Sequence, residues 1–172
     1  NGVDSICVVV CDSTGACDTA LVQIIVTPVN DPPVIEDTTV MTPEDTPVSV
    51  CLPITDADAG DIHTASIACG PNNGTITSGP TVVNGEVCIT YEPAADWNGT
   101  DSICVVVCDS TGACDTALVE IIVTPVNDPP VIEDTTVTTP EDTPISVCLP
   151  ITDADAGDIH SASISCGPNN GT

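Results

Sequence analysis

Residues 4–33, DSICVVVCDSTGACDTALVQIIVTPVNDPP, return 97 positions later as residues 101–130, DSICVVVCDSTGACDTALVEIIVTPVNDPP. Overlaying residues 1–75 on 98–172 leaves six differences: Val3/Thr100, Gln23/Glu120, Met41/Thr138, Val48/Ile145, Thr64/Ser161 and Ala68/Ser165. A near-identical unit at fixed spacing commits a chain to a tandem array in which each unit folds alike. The 172 residues are therefore expected to be a window on something longer. Residues 1–30 are expected to be the C-terminal hairpin of one repeat plus its linker, 31–127 a complete repeat, and 128–172 the N-terminal part of the next. A unit of about 100 residues suits one small domain with a modest core.

Turn signals and period-two alternation punctuate the complete repeat, with no helical period. Pro43-Glu44-Asp45-Thr46-Pro47 reads as a turn before a strand at 48–54, and 56–61 (DADAGD) as an acidic loop. A strand at 64–69 ends at the Gly-Pro-Asn-Asn-Gly of 70–74, and short strands follow at 75–77 and 85–91. Residues 92–99 read as a loop, and 102–107 with 115–123 as a hairpin. About seven short strands with such spacing predict an all-β, Greek-key sandwich. Alternation assigns Val48, Val50, Leu52, Val87, Ile89, Tyr91, Ile103, Val105, Val107, Ala117, Val119, Ile121 and Val123 to the core, and turns the cysteines of those strands outward. The chain has no Phe, one Trp and one Tyr, so aliphatic residues fill that core; Trp97 and Tyr91 are expected to anchor its corner, rather than to form a sugar-stacking platform.

With 26 acidic residues and no Lys or Arg, the chain has nothing to set against phosphate, which excludes nucleic acid and anionic membrane surfaces as partners. No run approaches 18 apolar residues, so no membrane insertion of this segment is expected. Ion pairs and Lys–Asn isopeptide cross-links are not expected either; the carboxylates must be solvated, hydrogen-bonded or bound to cations.

Each repeat carries six cysteines: Cys51, Cys69, Cys88, Cys104, Cys108 and Cys114. Their spacing, C-x3-C along one strand and C-x5-C around a loop, suits disulfides better than zinc and implies an oxidising, extracytoplasmic compartment. Six cysteines allow fifteen pairings. Strand adjacency in a seven-strand sandwich favours Cys51–Cys88, Cys69–Cys104 and Cys108–Cys114, with Cys11–Cys17 equivalent to the last. Cys7, Cys148 and Cys166 then have no partner within the 172 residues, which accounts for the odd total of eleven.

The DADAGD loop, the PEDTP turn, YEPAADWNGTDS, the hairpin and TPVNDPP together resemble bacterial cadherin-like, Ig-like tandem repeats of about 95 residues, found in giant cell-surface adhesins. The resemblance implies sandwich domains strung head to tail with Ca²⁺ at their junctions. In that topology Glu44, Glu92 and Asp96 from one repeat, Asn127 and Asp128 from the linker, and Asp153, Asp155 and Asp158 from the next would surround the second junction. Asn30 and Asp31 with Asp56, Asp58, Asp61 and Asp109 would line the first. Oxygen donors on converging loops suit Ca²⁺; the alternative is that they are merely solvated turns. The linker reads NDPP where cadherins have NDNAP, and the usual LDRE is absent.

No nucleophile motif appears and an array of like units is a poor place for one active site, so the chain is read as non-enzymatic, with His63 and His160 as loop histidines. Asn73-Gly-Thr75, Asn98-Gly-Thr100 and Asn170-Gly-Thr172 match glycosylation sequons, and Asp101-Ser102-Ile103 and Asp115-Thr116-Ala117 resemble bacterial O-glycosylation sites. Val106, Leu118 and Ile122 fall on the outward face among the cysteines. Such a stripe either joins copies side by side into a homo-oligomeric filament or is covered by the disulfides. The expected role is a fibre or stalk of an extracellular, cell-surface adhesin, with neighbouring repeats as partners; the alternative is a module that itself binds carbohydrate or partner cells.

Overall fold

A computed structural model describes residues 1–168; the sequon at Asn170 lies outside them. The chain is all-β. A hairpin of β1 (Gly2–Cys11) and β2 (Cys17–Val26) comes first. Seven strands follow: β3 (Thr38–Pro43), β4 (Val48–Pro53), β5 (Thr64–Cys69), β6 (Gly74–Val83), β7 (Glu86–Pro93), β8 (Gly99–Cys108) and β9 (Cys114–Thr124). Two short strands, β10 (Val131–Ile132) and β11 (Ile151–Thr152), pair after the second linker.

The seven strands form two sheets, β3-β9-β8-β5 and β4-β7-β6. Val34 bridges Thr55 beside the second sheet, and the chain then crosses to the first, where β3 runs parallel to β9. All other strand pairings are antiparallel. Apolar residues at every second position of β7, β8 and β9 meet between the sheets. Val87, Ile89, Tyr91, Ile103, Val105, Val107, Ala117, Val119, Ile121 and Val123 are buried with Leu52 and Ile35, while Val48 and Val50 pack at the margin. Each fully buried Val or Ile contributes roughly 1.5–3 kcal/mol.

The inward parity of β8 continues past its apolar residues to Asp101 at one end and Asp109 beyond the other, both at most 5% exposed. The Asp101 carboxylate accepts from the backbone N–H groups of Asn72, Asn73 and Ser102, and from the Tyr91 hydroxyl at 3.2 Å. Three backbone donors keep Asp101 ionised below its ordinary pKa against the opposing effect of burial. Burial and the Asp101 charge push the Tyr91 phenol up to about 12. Gly74 makes this possible, since a Cβ there would sit 2.5 Å from the Tyr91 ring.

Four bridges are present: Cys11–Cys17, Cys51–Cys88, Cys69–Cys104 and Cys108–Cys114. Each joins adjacent strands of one sheet, with Cys51 opposite Cys88 and Cys108 opposite Cys114 in the ladders. Cys69 is the exception in phase. Counting by twos from Ala65 and Ile67 would point it inward, but Ile67 pairs with Val105 and Cys69 with Cys104. The extra residue, Ala68, forms a bulge that turns Cys69 to the outer face. Cys7, Cys148 and Cys166 are free and exposed. The expected short strand at 75–77 extends to Val83, its register shifting between Ser78 and Thr81 where Gly79-Pro80 interrupts the ladder.

Candidate metal centre

The turn between β3 and β4 and the loop between β7 and β8 lie at the end of the sandwich where the second linker leaves. Glu44 is 3% exposed and accepts the backbone N–H of Val126. Asp45 adopts a positive φ of 57° and accepts the backbone N–H of Asp96 at 3.1 Å. Oxygens of Asp45, Asp96 and Asp128 lie within 4.8 Å of one another. From the following repeat, Asp155 accepts the backbone N–H of Asp128 at 2.6 Å. Glu44, Asp96, Asn98, Asp128, Asp155 and Asp158 thus line one hollow, and Asp153 borders the adjoining one with Asp96 and Asp128.

The opposite end repeats this arrangement from the other side. Asp58 accepts the Asp31 backbone N–H at 2.7 Å, the counterpart of the Asp155–Asp128 bond. Oxygens of Asp56, Asp58 and Asp61 lie within 4.8 Å of one another. The Asn30 side-chain amide donates to Asp109 at 2.8 Å, and Thr111 and the Ala113 backbone donate to the same carboxylate. Led by the Asn30 bond, these donors hold Asp109 down at about 2 against the effect of burial.

His63 bonds to Asp56 at 2.8 Å and His160 to Asp153 at 2.6 Å, and these bonds hold both carboxylates below their ordinary range. These are the ion pairs that the absence of Lys and Arg did not lead one to expect, formed whenever the imidazole is protonated. The histidines orient acidic-loop carboxylates.

Two of the sequence candidates stand apart. Glu92 is a ladder residue, because β7 continues through Pro93; it pairs with Thr75, is exposed, and lines neither hollow. The Asn127 amide donates to the Asp128 carbonyl instead of facing the hollow. Asp45, which was not among the sequence candidates, lies instead with Asp96 and Asp128. Its signal was the turn itself, where an Asp tolerates the left-handed conformation.

The side-chain donors are oxygens, carboxylates apart from the Asn98 amide. Asp128 is pushed above the ordinary carboxylate pKa by burial and by the charges of Asp96, Asp155, Asp45 and Glu44. At the other end, one Asp61 oxygen is buried with no hydrogen-bond partner. Both observations are those of a site lacking a positive charge, and hard oxygen donors from several loops fit Ca²⁺. The triad Cys51–Glu86–Cys88 is not a rival metal site, since its sulfurs are bonded to each other.

On the outer face of the four-stranded sheet, Leu118 is 43% exposed, Val106 and Ile122 are half-buried, and Met41 stands exposed beside Ile122. Trp97 packs against the core.

No helix among the described residues is long and apolar enough to cross a membrane. Among solved structures, the extracellular cadherin domains 1–5 of protocadherin gamma B2 match 91% of this chain and 33% of their own, at 17% identity and a TM-score of 0.56. The human desmocollin-1 ectodomain matches 76% of this chain and 29% of its own, at 18% identity and a TM-score of 0.48. An endo-fucoidan hydrolase of glycoside hydrolase family 107 matches 73% and 19%, at 19% identity and a TM-score of 0.43. The chain thus spans a third or less of each of these structures. No curated protein sequence matches it. The sequence profile described as "Bacterial Ig domain" matches residues 30–122, more than half of the 172, and the chain belongs to the bacterial Ig domain family.

Proposed function

We propose that this chain is a structural segment of an extracellular, cell-surface adhesin or fibre, in which Ca²⁺ bound between successive repeats stiffens the linker. The observation that carries the reading is the convergence of Glu44, Asp45, Asp96, Asp128, Asp155 and Asp158, from two repeats and their linker, with no cationic side chain among them. An ion there would neutralise charges that otherwise repel across the junction, and Pro129 and Pro130 add their own stiffness. Disulfides and a family of bacterial Ig domains support placement outside the cytoplasm.

The role is that of a spacer rather than of an enzyme or a ligand-binding tip. The sole Tyr is buried, and the sole Trp packs on the core, so neither offers the exposed aromatic face that sugar binding uses. Thermal melting in calcium and in excess EDTA tests the reading. Calcium is expected to raise the melting temperature, and identical melts would refute the calcium part.

Side-by-side association of copies through Val106, Leu118 and Ile122 belongs to the same proposal, supported by the exposure of Leu118 and Met41 on that face. Leu118→Asp with Ile122→Thr is expected to abolish association in sedimentation; unchanged association would remove this face from the proposal.

A further inference from the structure

The four cysteines of the two longer bridges alternate along the chain: Cys51, Cys69, Cys88, Cys104, with 51 joined to 88 and 69 to 104. We infer that this interleaving gives each repeat two parallel covalent arms of nearly equal length, so that either disulfide alone caps the extension of the repeat under tension. The inference deepens the fibre reading above and rests on it for its use; the path lengths follow from the bridges alone.

The chain enters the sandwich ahead of β3 and leaves it after β9, and these strands are parallel neighbours over six pairs, Thr38↔Val119 to Pro43↔Thr124. Pulling the repeat from its two linkers therefore shears this ladder. Once it parts, tension reaches Cys51. One arm crosses the Cys51–Cys88 bridge in the three-stranded sheet and runs 16 residues along β7 and the following loop to Cys104. The other runs 18 residues from Cys51 through β4 and β5, then crosses the Cys69–Cys104 bridge in the four-stranded sheet. Beyond Cys104, the Cys108–Cys114 bridge removes six further steps from the path. Of the 97 residue steps in a repeat, 54 remain extensible after separations of 37 and 6 are taken out.

At roughly 3.5 Å per extended residue, an oxidised repeat stops at about 20 nm and a reduced one at about 34 nm. Losing Cys51–Cys88 substitutes the 18-residue arm for the 16-residue one, an increase of about 0.7 nm. Losing Cys69–Cys104 changes nothing, because the shorter arm is intact. Losing both releases 37 steps less one bridge, about 12 nm. Each sheet thus carries a covalent backup for the other.

Single-molecule force spectroscopy on the 172-residue chain, held by its ends, tests this. The unfolding length of the complete repeat is expected to grow by less than about 1 nm in Cys51→Ser/Cys88→Ser and to stay unchanged in Cys69→Ser/Cys104→Ser. It is expected to grow by about 12 nm when all four are replaced. If the four-fold variant does not fold, adding a thiol reductant to the folded unmodified chain supplies the same readout, with an expected gain of about 14 nm. A gain of 10 nm or more from Cys51→Ser/Cys88→Ser alone, or an unmodified repeat that already extends to about 34 nm, would overturn the inference. EDTA is expected to leave the extension limit untouched. A limit that holds while calcium has no effect on melting would therefore count against the calcium junction and in favour of the two arms.

Discussion

Asn30 in the linker donates its side-chain amide to the Asp109 carboxylate at 2.8 Å, across 79 residues of sequence. This bond ties the segment entering the repeat to the loop between β8 and β9, and it is the leading cause of the low Asp109 pKa of about 2. A carboxylate depressed from 3.8 stabilises the folded state fully above the unfolded value, and that contribution is lost as pH falls toward 2. Asn30→Ala is expected to move the acid-unfolding midpoint of the repeat to higher pH. Circular dichroism between pH 5 and about 2 would measure it, and an unmoved midpoint would dissociate the linker from Asp109.

Asp128 has the opposite sign. Its pKa is raised by burial and by Asp96, Asp155, Asp45 and Glu44, so its charge opposes folding above that pKa, and the penalty is relieved as pH falls toward the unfolded value. Asp128→Asn should therefore raise the melting temperature in EDTA and reduce the gain that calcium gives. The reversal between two buffers separates a cation site from an ordinary surface turn, for which both shifts would share a sign.

Asp101 satisfies two loop N–H groups and the Tyr91 hydroxyl inside the sandwich. Asp101→Ala leaves the half-buried Asn72 and Asn73 N–H groups without their acceptor and is expected to cost roughly 2 kcal/mol, whereas Tyr91→Phe removes one hydroxyl, shared between Asp101 and the Asn73 carbonyl at 3.1 Å, and should cost about 1 kcal/mol. Urea unfolding of the oxidised chain gives both values. Equal costs would mean that the carboxylate acts only through Tyr91.

The bulge at Ala68 sets which way Cys69 faces. Deleting Ala68 removes the bulge and sets Cys69 directly after Ile67, where strict alternation still faces it outward, opposite Cys104. The Cys69–Cys104 bridge is therefore expected to survive the deletion, with the thiol count of the unmodified chain. Two additional free thiols per chain would show that the bulge itself, and not the ladder register, holds Cys69 against Cys104.

These positions mark where sequence patterning stops being sufficient. The inward residues of β7, β8 and β9 were legible because one apolar residue at every second position admits a single register, and the same register sets Cys51 against Cys88 and Cys108 against Cys114. The bulge at Ala68 was not, since a small residue in a Ser/Ala/Ile run carries no phase of its own. Nor was the full length of β6, whose Gly79-Pro80 reads as a stop but is accommodated as an irregularity in the ladder. At the junction, most of the acidic positions could be placed from loop order alone. Glu92 lies in the ladder because β7 runs two residues further than its apolar pattern, and Asp45 comes beside Asp96 and Asp128 through a backbone twist that is a property of the folded turn. Asp101 was visible only as parity: it sits in phase with Ile103, Val105 and Val107, which for a carboxylate means burial with partners.

Trp97 is the only tryptophan in the chain and sits between Asp96 and Asn98, both of which line the junction hollow. It is therefore placed to sensitise a terbium ion bound where calcium would bind. Exciting Trp97 in the presence of Tb³⁺ is predicted to give terbium emission that calcium competes away and that Asp96→Asn with Asp128→Asn abolishes. Absence of sensitised emission, or emission indifferent to both calcium and the two substitutions, would contradict a cation site at the junction of the repeats.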